Sequence, residues 1–254
     1  MRLTVLESGS AGNGYLLEGR RSALLLECGV RPEELFRMTD CPVSKIAGAL
    51  VSHEHGDHAK YIDRYASLGI HIYGSLETLN QLSPFHAAAV IRSLRPMQMF
   101  SVGEFEVSAF DTIHDAAGPL GFIIQHRECG RILFLTDTAY CKYNFRDMAL
   151  DHIMVEANYE DGILTANTAS GRVEPSRALR TRQTHMSLRQ ACDLVRANQT
   201  AELKTVVLLH LSRDNADAAS FAKRMEETAL FARIAVATRG TTIELKRDEI
   251  NTVL

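Results

Sequence analysis

The six residues His53–His58 read His-Glu-His-Gly-Asp-His and follow directly on the apolar run Ile46–Val51. Three of the 10 histidines in 254 residues stand here. An apolar run without polar alternation suits a strand buried on both faces. His53 and His55 are two apart, so at an extended chain end they point the same way. Gly56 permits a sharp turn. Asp57 and His58 then open a predicted helix over Asp57–Leu68 that stops at Gly69. Imidazole nitrogens and carboxylate oxygens are the usual ligands of zinc and similar ions. One ion cannot easily take four such groups from so tight a turn, so the pattern points to two neighbouring divalent metal ions.

Two ions need further ligands, and the remaining candidates also follow apolar strands. His114 comes after the predicted strand Phe105–Phe110, Asp137 after Ile132–Leu135, and His210 after Thr205–Leu209. Other predicted strands are Leu3–Glu7, Gly14–Glu18, Ser22–Glu27, Ile70–Tyr73, Gly121–His126 and Ile153–Val155, with terminal strands near Ile234–Ala237 and Thr242–Leu245. Helices are predicted from the Ser75 cap through Leu82, in the "PFHAAAV" stretch around His86, and over Leu188–Asn198 and Ala216–Ala229. Strand groups alternate with helices in both halves and no linker interrupts them. The expectation is an α+β fold with two packed sheets and helices outside, forming a single domain over 1–254. Gly162–Thr184 is the least regular stretch. It sets Arg172, Arg177, Arg180 and Arg182 against one acid, Glu174, and reads as a surface loop or as a loop that contacts phosphate.

Bulk properties narrow the function. Net charge is -3, which gives no support to non-specific coating of DNA, although a local basic stripe remains open. No apolar run approaches the length of a membrane span, and "MRLTVLESGS" lacks a signal-peptide pattern. The five cysteines are scattered, without a Cys-x-x-Cys pair, as expected for free thiols in a cytoplasmic protein. "SGSAGNG" is glycine-rich but lacks the Gly-Lys-Ser/Thr end of a phosphate loop. His71, His86, His126 and His152 read as packing or surface residues.

The order His-x-His-x-Asp-His, His, Asp, His resembles the metallo-β-lactamase fold and, within it, the binuclear metal-dependent hydrolases. "ESGSAGNGYLLE", "TDTA", "VEANYED" and "HLSRDN" resemble the YycJ-like (WalJ-like) branch of 5′-to-3′ DNA exonucleases. The resemblance implies an αββα sandwich with the metals at one edge. It implies His53, His55 and His114 on one ion, Asp57, His58 and His210 on the other, and Asp137 bridging them, with zinc, manganese or iron as the metal. Asp57 is thereby also a catalytic candidate. Glu156 and His185 resemble the pair of the RNase Z branch, in which a glutamate orients a histidine that protonates the leaving oxygen. Where the branch commonly has aspartate, "LLLECG" carries Glu27, which could partner a ligand histidine.

These residues imply a phosphodiesterase that attacks with a metal-bridging hydroxide, since metal binding can lower the pKa of water to about 7. An expelled alkoxide needs protonation, the role expected of His185. Asn158 and Arg180 are candidate contacts to substrate phosphate. The expected substrate is nucleic acid, DNA that is single-stranded or bound by its end. The alternative is a hydrolase of the same fold acting on a small phosphodiester, thioester or lactone. A di-iron oxidoreductase is a further competitor, but such proteins resemble His-x-Glu-x-Asp where this chain has His55.

Overall fold

The computed structural model describes residues 1–82 and 90–247. Strands β1 (Arg2–Glu7), β2 (Gly14–Glu18), β3 (Ala23–Leu26), β4 (Ile46–Leu50), β5 (Ile72–Ser75) and β6 (Ile91–Leu94) follow each other across one sheet. The second sheet runs through β7 (Met99–Val102), β8 (Phe105–Asp111), β9 (Leu120–His126), β10 (Gly130–Leu135), β11 (His152–Glu156), β12 (Thr205–Leu209) and β13 (Arg233–Val236). The chain then returns as β14 (Thr242–Glu244), antiparallel to β1 at the edge of the first sheet. This is the αββα sandwich expected from the motif order.

Period-two alternation divides each strand between two cores. Leu3, Val5, Tyr15, Leu17, Leu24 and Leu26 of the first sheet meet Phe105, Val107, Phe122, Phe134, Met154 and Val207 of the second between the sheets. The opposite faces of the same strands are buried too. Leu16, Leu25 and Ala49 lie under α1 (Pro32–Met38) and the residues of α2 (Gly56–Ala59) and α3 (Ile62–Ser67). Leu133, Leu135, Ile153, Val155, Val206 and Leu208 lie under α7 (Leu188–Asn198) and α8 (Ala218–Glu226). Burial on both faces explains why "ALLL" and "VVLL" carry no polar alternation. At about 1.5–3 kcal/mol for each large apolar side chain, these layers supply the main stabilisation.

The parallel segments position the site. Strands β3–β6 are mutually parallel, as are β10–β13. Their carboxyl ends therefore open at one edge of the sandwich, where ligands of open α/β sheets usually bind. Register places Glu156 beside Leu209, so the last residue of β11 and the first residue after β12, His210, are neighbours.

Several sequence expectations are corrected here. The predicted helix Asp57–Leu68 is two short helices, α2 and α3, broken at Lys60–Tyr61, where the Tyr61 N–H donates to the Cys28 carbonyl (3.0 Å). The strand expected at Ile70–Tyr73 lies at Ile72–Ser75 and runs directly into α4 (Leu76–Gln81), which Ser75 caps as predicted by accepting from the Thr78 N–H. Gly162–Thr184 is mostly helical, with α5 (Asp161–Ala169) and α6 (Pro175–Thr184). The helix expected around His86 falls outside the described residues. All five cysteines are free thiols, and among the described residues no helix is long and apolar enough to cross a membrane.

Candidate metal centre

The His-rich turn is clamped by two backbone loops. The Asn13 N–H donates to the Asp57 carbonyl (2.7 Å), the Cys28 N–H donates to the His58 carbonyl (2.6 Å), and the Gly29 N–H donates to the Asn13 carbonyl (3.0 Å). A Cβ on Gly29 would lie 1.7 Å from the Asp57 carbonyl oxygen, so only glycine fits there. The glycine-rich opening turn is thus a brace for the metal-site loop. Glu54, the first of the motif's two acids, turns away and accepts from the Ala117 N–H (2.8 Å), pinning the segment that follows His114.

The structure brings together all seven residues expected to hold metal. His53, His55 and His114 form one set, and Asp57, His58, Asp137 and His210 another; within each, ligand-type atoms lie within 4.8 Å of one another. A third set joins Asp137 and His210 to Glu156 and His185. Asp137 is near both histidine sets: its Oδ2 is 3.4 Å from His58 Nε2 and 3.9 Å from His114 Nε2, and its Oδ1 is 2.5 Å from His210 Nδ1. The arrangement suits two ions sharing one carboxylate.

Two further observations fit cations at this place. His53 Nδ1 is engaged with Ser52 Oγ (2.8 Å), while its buried Nε2 has no hydrogen-bond partner. Such an orphan costs about 1–3 kcal/mol unless something satisfies it. His114 Nδ1 donates to the Thr184 carbonyl (2.7 Å), which leaves Nε2 as a bare lone pair facing His55 Nδ1 at 3.2 Å. Both nitrogens would be satisfied by an ion between His53, His55 and His114.

The electrostatics agree. Burial, and then the charge of His58, hold the His53 imidazole well below its ordinary pKa, which favours a neutral ligand. Burial opposes ionisation of Asp137, yet His210 and His58 outweigh it and keep the carboxyl well below the usual range. Burial likewise opposes charge on His58, but Asp137 and Glu27 raise it well above 6.5. Glu27 is fully buried with an oxygen 3.5 Å from His58 Nδ1, the partnership its sequence position suggested.

Glu156 and His185 form a tight pair. Glu156 is fully buried at the end of β11 and its Oε1 lies 2.6 Å from His185 Nδ1, while Oε2 accepts from the N–H groups of Thr138 (3.1 Å) and Met186 (3.0 Å). Burial works against protonation of His185. The Glu156 carboxylate overcomes it by charge and hydrogen bond, with help from Asp137, and raises the pKa to about 9. The His185 ring sits 5.4 Å from that of His114 and 5.5 Å from that of His210, between the two ligand sets. His185, His114 and His210 border a cavity of about 220 Å³ that Asp57, Asp137 and Arg177 also line.

The two residues expected to contact phosphate also line that cavity, with qualifications. The Asn158 side-chain amide donates to the His210 carbonyl (2.9 Å) and so braces the ligand loop. Arg180 is held in a two-pronged bond to Asp115 (2.7 and 3.1 Å). Sequence reasoning missed Asn13, whose amide lies 3.0 Å from His58 Nε2, and the Thr184 carbonyl that orients His114. "SGSAGNG" held a signal for the first; the second depends on a helix end reached only in the folded chain.

Fold and site together define a hydrolase of the metallo-β-lactamase type with a histidine–aspartate cluster suited to two metal ions. The chain belongs to the family described as the Beta-lactamase superfamily domain, which its residues 25–211 match. It is 27% identical over 227 residues to the exodeoxyribonuclease YycJ of Bacillus anthracis, covering 85% of this chain and 84% of that one. Among solved structures it is similar to the metallo-β-lactamase fold protein YhfI of Bacillus subtilis, with a TM-score of 0.74, 20% identity and 95% and 98% of the two chains covered. It is also similar to the short form of human tRNase Z, with a TM-score of 0.62, 17% identity and 96% and 99% covered.

Proposed function

We propose that this protein is a binuclear metal-dependent phosphodiesterase that degrades nucleic acid, specifically a DNA exonuclease of 5′-to-3′ polarity acting on single-stranded or end-bound substrate. The observation that carries the reading is the Glu156–His185 pair at the cavity wall. A thioester expels a thiolate, which leaves readily and needs no dedicated proton donor. A phosphodiester expels an alkoxide that does. With Nδ1 fixed on Glu156 (2.6 Å), His185 keeps Nε2 for the departing oxygen, and its pKa of about 9 leaves it charged at neutral pH. The similarity to a relative named as an exodeoxyribonuclease supports DNA as the substrate.

His53, His55 and His114 would hold one ion, and Asp57, His58 and His210 the other, with Asp137 shared. Bound there, manganese or zinc would supply an acidified water and neutralise phosphoryl oxygen charge. Asp57, the more exposed of the two ligand carboxylates, lines the cavity in which the substrate phosphate would sit. Asn158 holds the His210 loop, and Arg180 can turn from Asp115 to a substrate phosphate.

The test is purified protein with Mn²⁺ or Zn²⁺ on DNA and RNA of defined structure, labelled at either end, beside a His58→Ala control. The expected result is stepwise shortening of DNA from the 5′ end, with about one metal equivalent lost and turnover abolished in the control. Cleavage confined to small esters, or turnover that survives loss of the metal, would refute the reading.

A further inference from the structure

The Arg-rich segment before His185 is helical, and the helix sorts its arginines by face. On α6 the positions 177, 180, 181 and 184 fall on one stripe. Three of them, Arg177, Arg180 and Thr181, line the metal cavity, and the carbonyl of the fourth, Thr184, holds His114. Arg182 faces elsewhere and is tied to Asp161 (3.4 Å) and Thr165 (2.9 Å). The cavity-side cations differ in their partners. Arg180 is clamped by Asp115, whereas Arg177 is exposed and, among the described residues, has no carboxylate within ion-pair distance. A guanidinium without a carboxylate partner at the wall of this cavity is an anion contact awaiting its anion.

Its distance from the chemistry says which anion. His185 caps the carboxyl end of α6, eight residues beyond Arg177, so the two are about 12 Å apart along the axis at ~1.5 Å per residue. Helical side chains lean toward the amino end, so the Arg177 side chain leans away from His185 and toward the outer part of the shared cavity. Ser10, Ser212 and Asn215 complete the cavity lining with hydroxyl and amide groups. Resting on the phosphodiesterase reading above, we infer that Arg177 binds a second backbone phosphate, outside the scissile one. It thereby makes the site selective for a polynucleotide over an isolated phosphodiester. Arg177 is a specificity residue, not a catalytic one.

The test compares wild type, Arg177→Ala, Arg177→Lys and Arg182→Ala, all metal-loaded, on a single-stranded 5′-phosphorylated DNA 12-mer. Turnover is followed as KM and kcat, and binding by fluorescence anisotropy in a slow His185→Ala background. Arg177→Ala is expected to raise KM and Kd about tenfold, the scale of one charge-assisted hydrogen bond, with kcat within about twofold. The slope of log affinity against log salt should flatten by ~0.7, one single-strand phosphate contact. Arg177→Lys should keep the slope and lose part of the affinity. Arg182→Ala, removing the same charge from the wrong face, should change neither. Equal effects of Arg177→Ala and Arg182→Ala, no effect of Arg177→Ala, or no binding by the unsubstituted protein would overturn the inference. Binding through Arg177 without any cleavage would refute only the hydrolase reading; cleavage indifferent to Arg177→Ala would refute only this one.

Discussion

Replacing Glu156 by glutamine isolates the proposed proton donor, His185, from the proposed metal ligands. The side chain keeps its shape, and its remaining carbonyl oxygen can still accept from the Thr138 and Met186 N–H groups (3.1 and 3.0 Å). The new amide N–H would face His185 Nδ1, which now sees a carboxylate oxygen at 2.6 Å. His185 must then accept at Nδ1, so its proton moves to Nε2 on a neutral ring, which is a poor acid. The pKa of about 9 against an ordinary 6.5 amounts to ~3 kcal/mol in favour of the imidazolium. Without the carboxylate, burial pulls the value to 6.5 or below. At pH 8 roughly nine-tenths of His185 is charged in the native protein and about 3% in Glu156→Gln, a loss of ~30-fold from protonation alone. The assay is kcat from pH 5.5 to 10 on single-stranded DNA and on bis-p-nitrophenyl phosphate, with metal content measured on each preparation. The native alkaline limb is expected near pH 9 and that of the variant below 6.5. The loss should be large on DNA and small on the nitrophenyl ester, whose leaving group departs unprotonated. Stability gives a second check: a raised histidine pKa contributes stability fully present below pH 6.5 and lost as pH rises through about 9. The melting difference between native and variant protein should therefore shrink above pH 9. Equal losses on both substrates at full metal content, or an unmoved alkaline limb, would refute the assignment.

Two other perturbations test the frame around the centre. Gly29→Ala places a Cβ 1.7 Å from the Asp57 carbonyl and must push the His-rich turn out of place; a loss of at least ~2 kcal/mol in urea unfolding, with metal binding weakened, is expected, and a native-like melt with two bound ions would contradict it. His152 is fully buried at the start of β11, and burial lowers its pKa to about 4. A depressed histidine contributes stability that is complete above pH 6.5 and lost as pH falls toward 4, at most ~3 kcal/mol. His152→Leu should lessen the acid sensitivity measured by thermal melts between pH 6.5 and 4, and an unchanged pH slope would show that His152 does not titrate on unfolding.

How much of this was readable depends on what each residue answers to. Leu188–Asn198 and Thr205–Leu209 were legible to the residue because their apolar spacing is imposed by burial against one layer or two. The proposed metal ligands were legible because His53, His114, Asp137 and His210 each follow a predicted strand and His55, Asp57 and His58 share the first motif. The helices α5 and α6 were not, since they bury little: Leu164 and Ala178, with Val173 between the helices, pack with Tyr159. Their signals lay in end chemistry instead, with Glu160 accepting from the Ile163 N–H and Pro175 at the first helical turn. The strands β6 and β7 lie at sheet edges with half-exposed residues, so no apolar run announces them. Arg177 and Arg182 cannot be told apart without the helix, because only its pitch gives them opposite duties.

The backbone at the strand ends explains why the site sits at this edge and nowhere else on the sheets. Glu27, Asp137 and His210 each have positive φ, at 66°, 42° and 51°, although none is glycine. Each stands within two residues of the carboxyl end of a parallel strand. Left-handed backbone there costs about 1–3 kcal/mol per residue and persists only where the surroundings enforce it. They do: the Glu27 N–H donates to the Leu50 carbonyl (2.9 Å), the His210 N–H donates to Ser8 Oγ (2.9 Å), and Asp137 Oδ1 accepts from Thr136 (2.7 Å). A strand that simply continued would alternate its side chains between the two apolar cores. The left-handed residue breaks that alternation and turns its own side chain along the sheet edge, toward the same point from three separate strands. The strain is therefore part of how the carboxylates and imidazoles meet. The apolar layers on both faces of β3, β10 and β12 are what make three strained corners and a set of buried charges tolerable in one small volume.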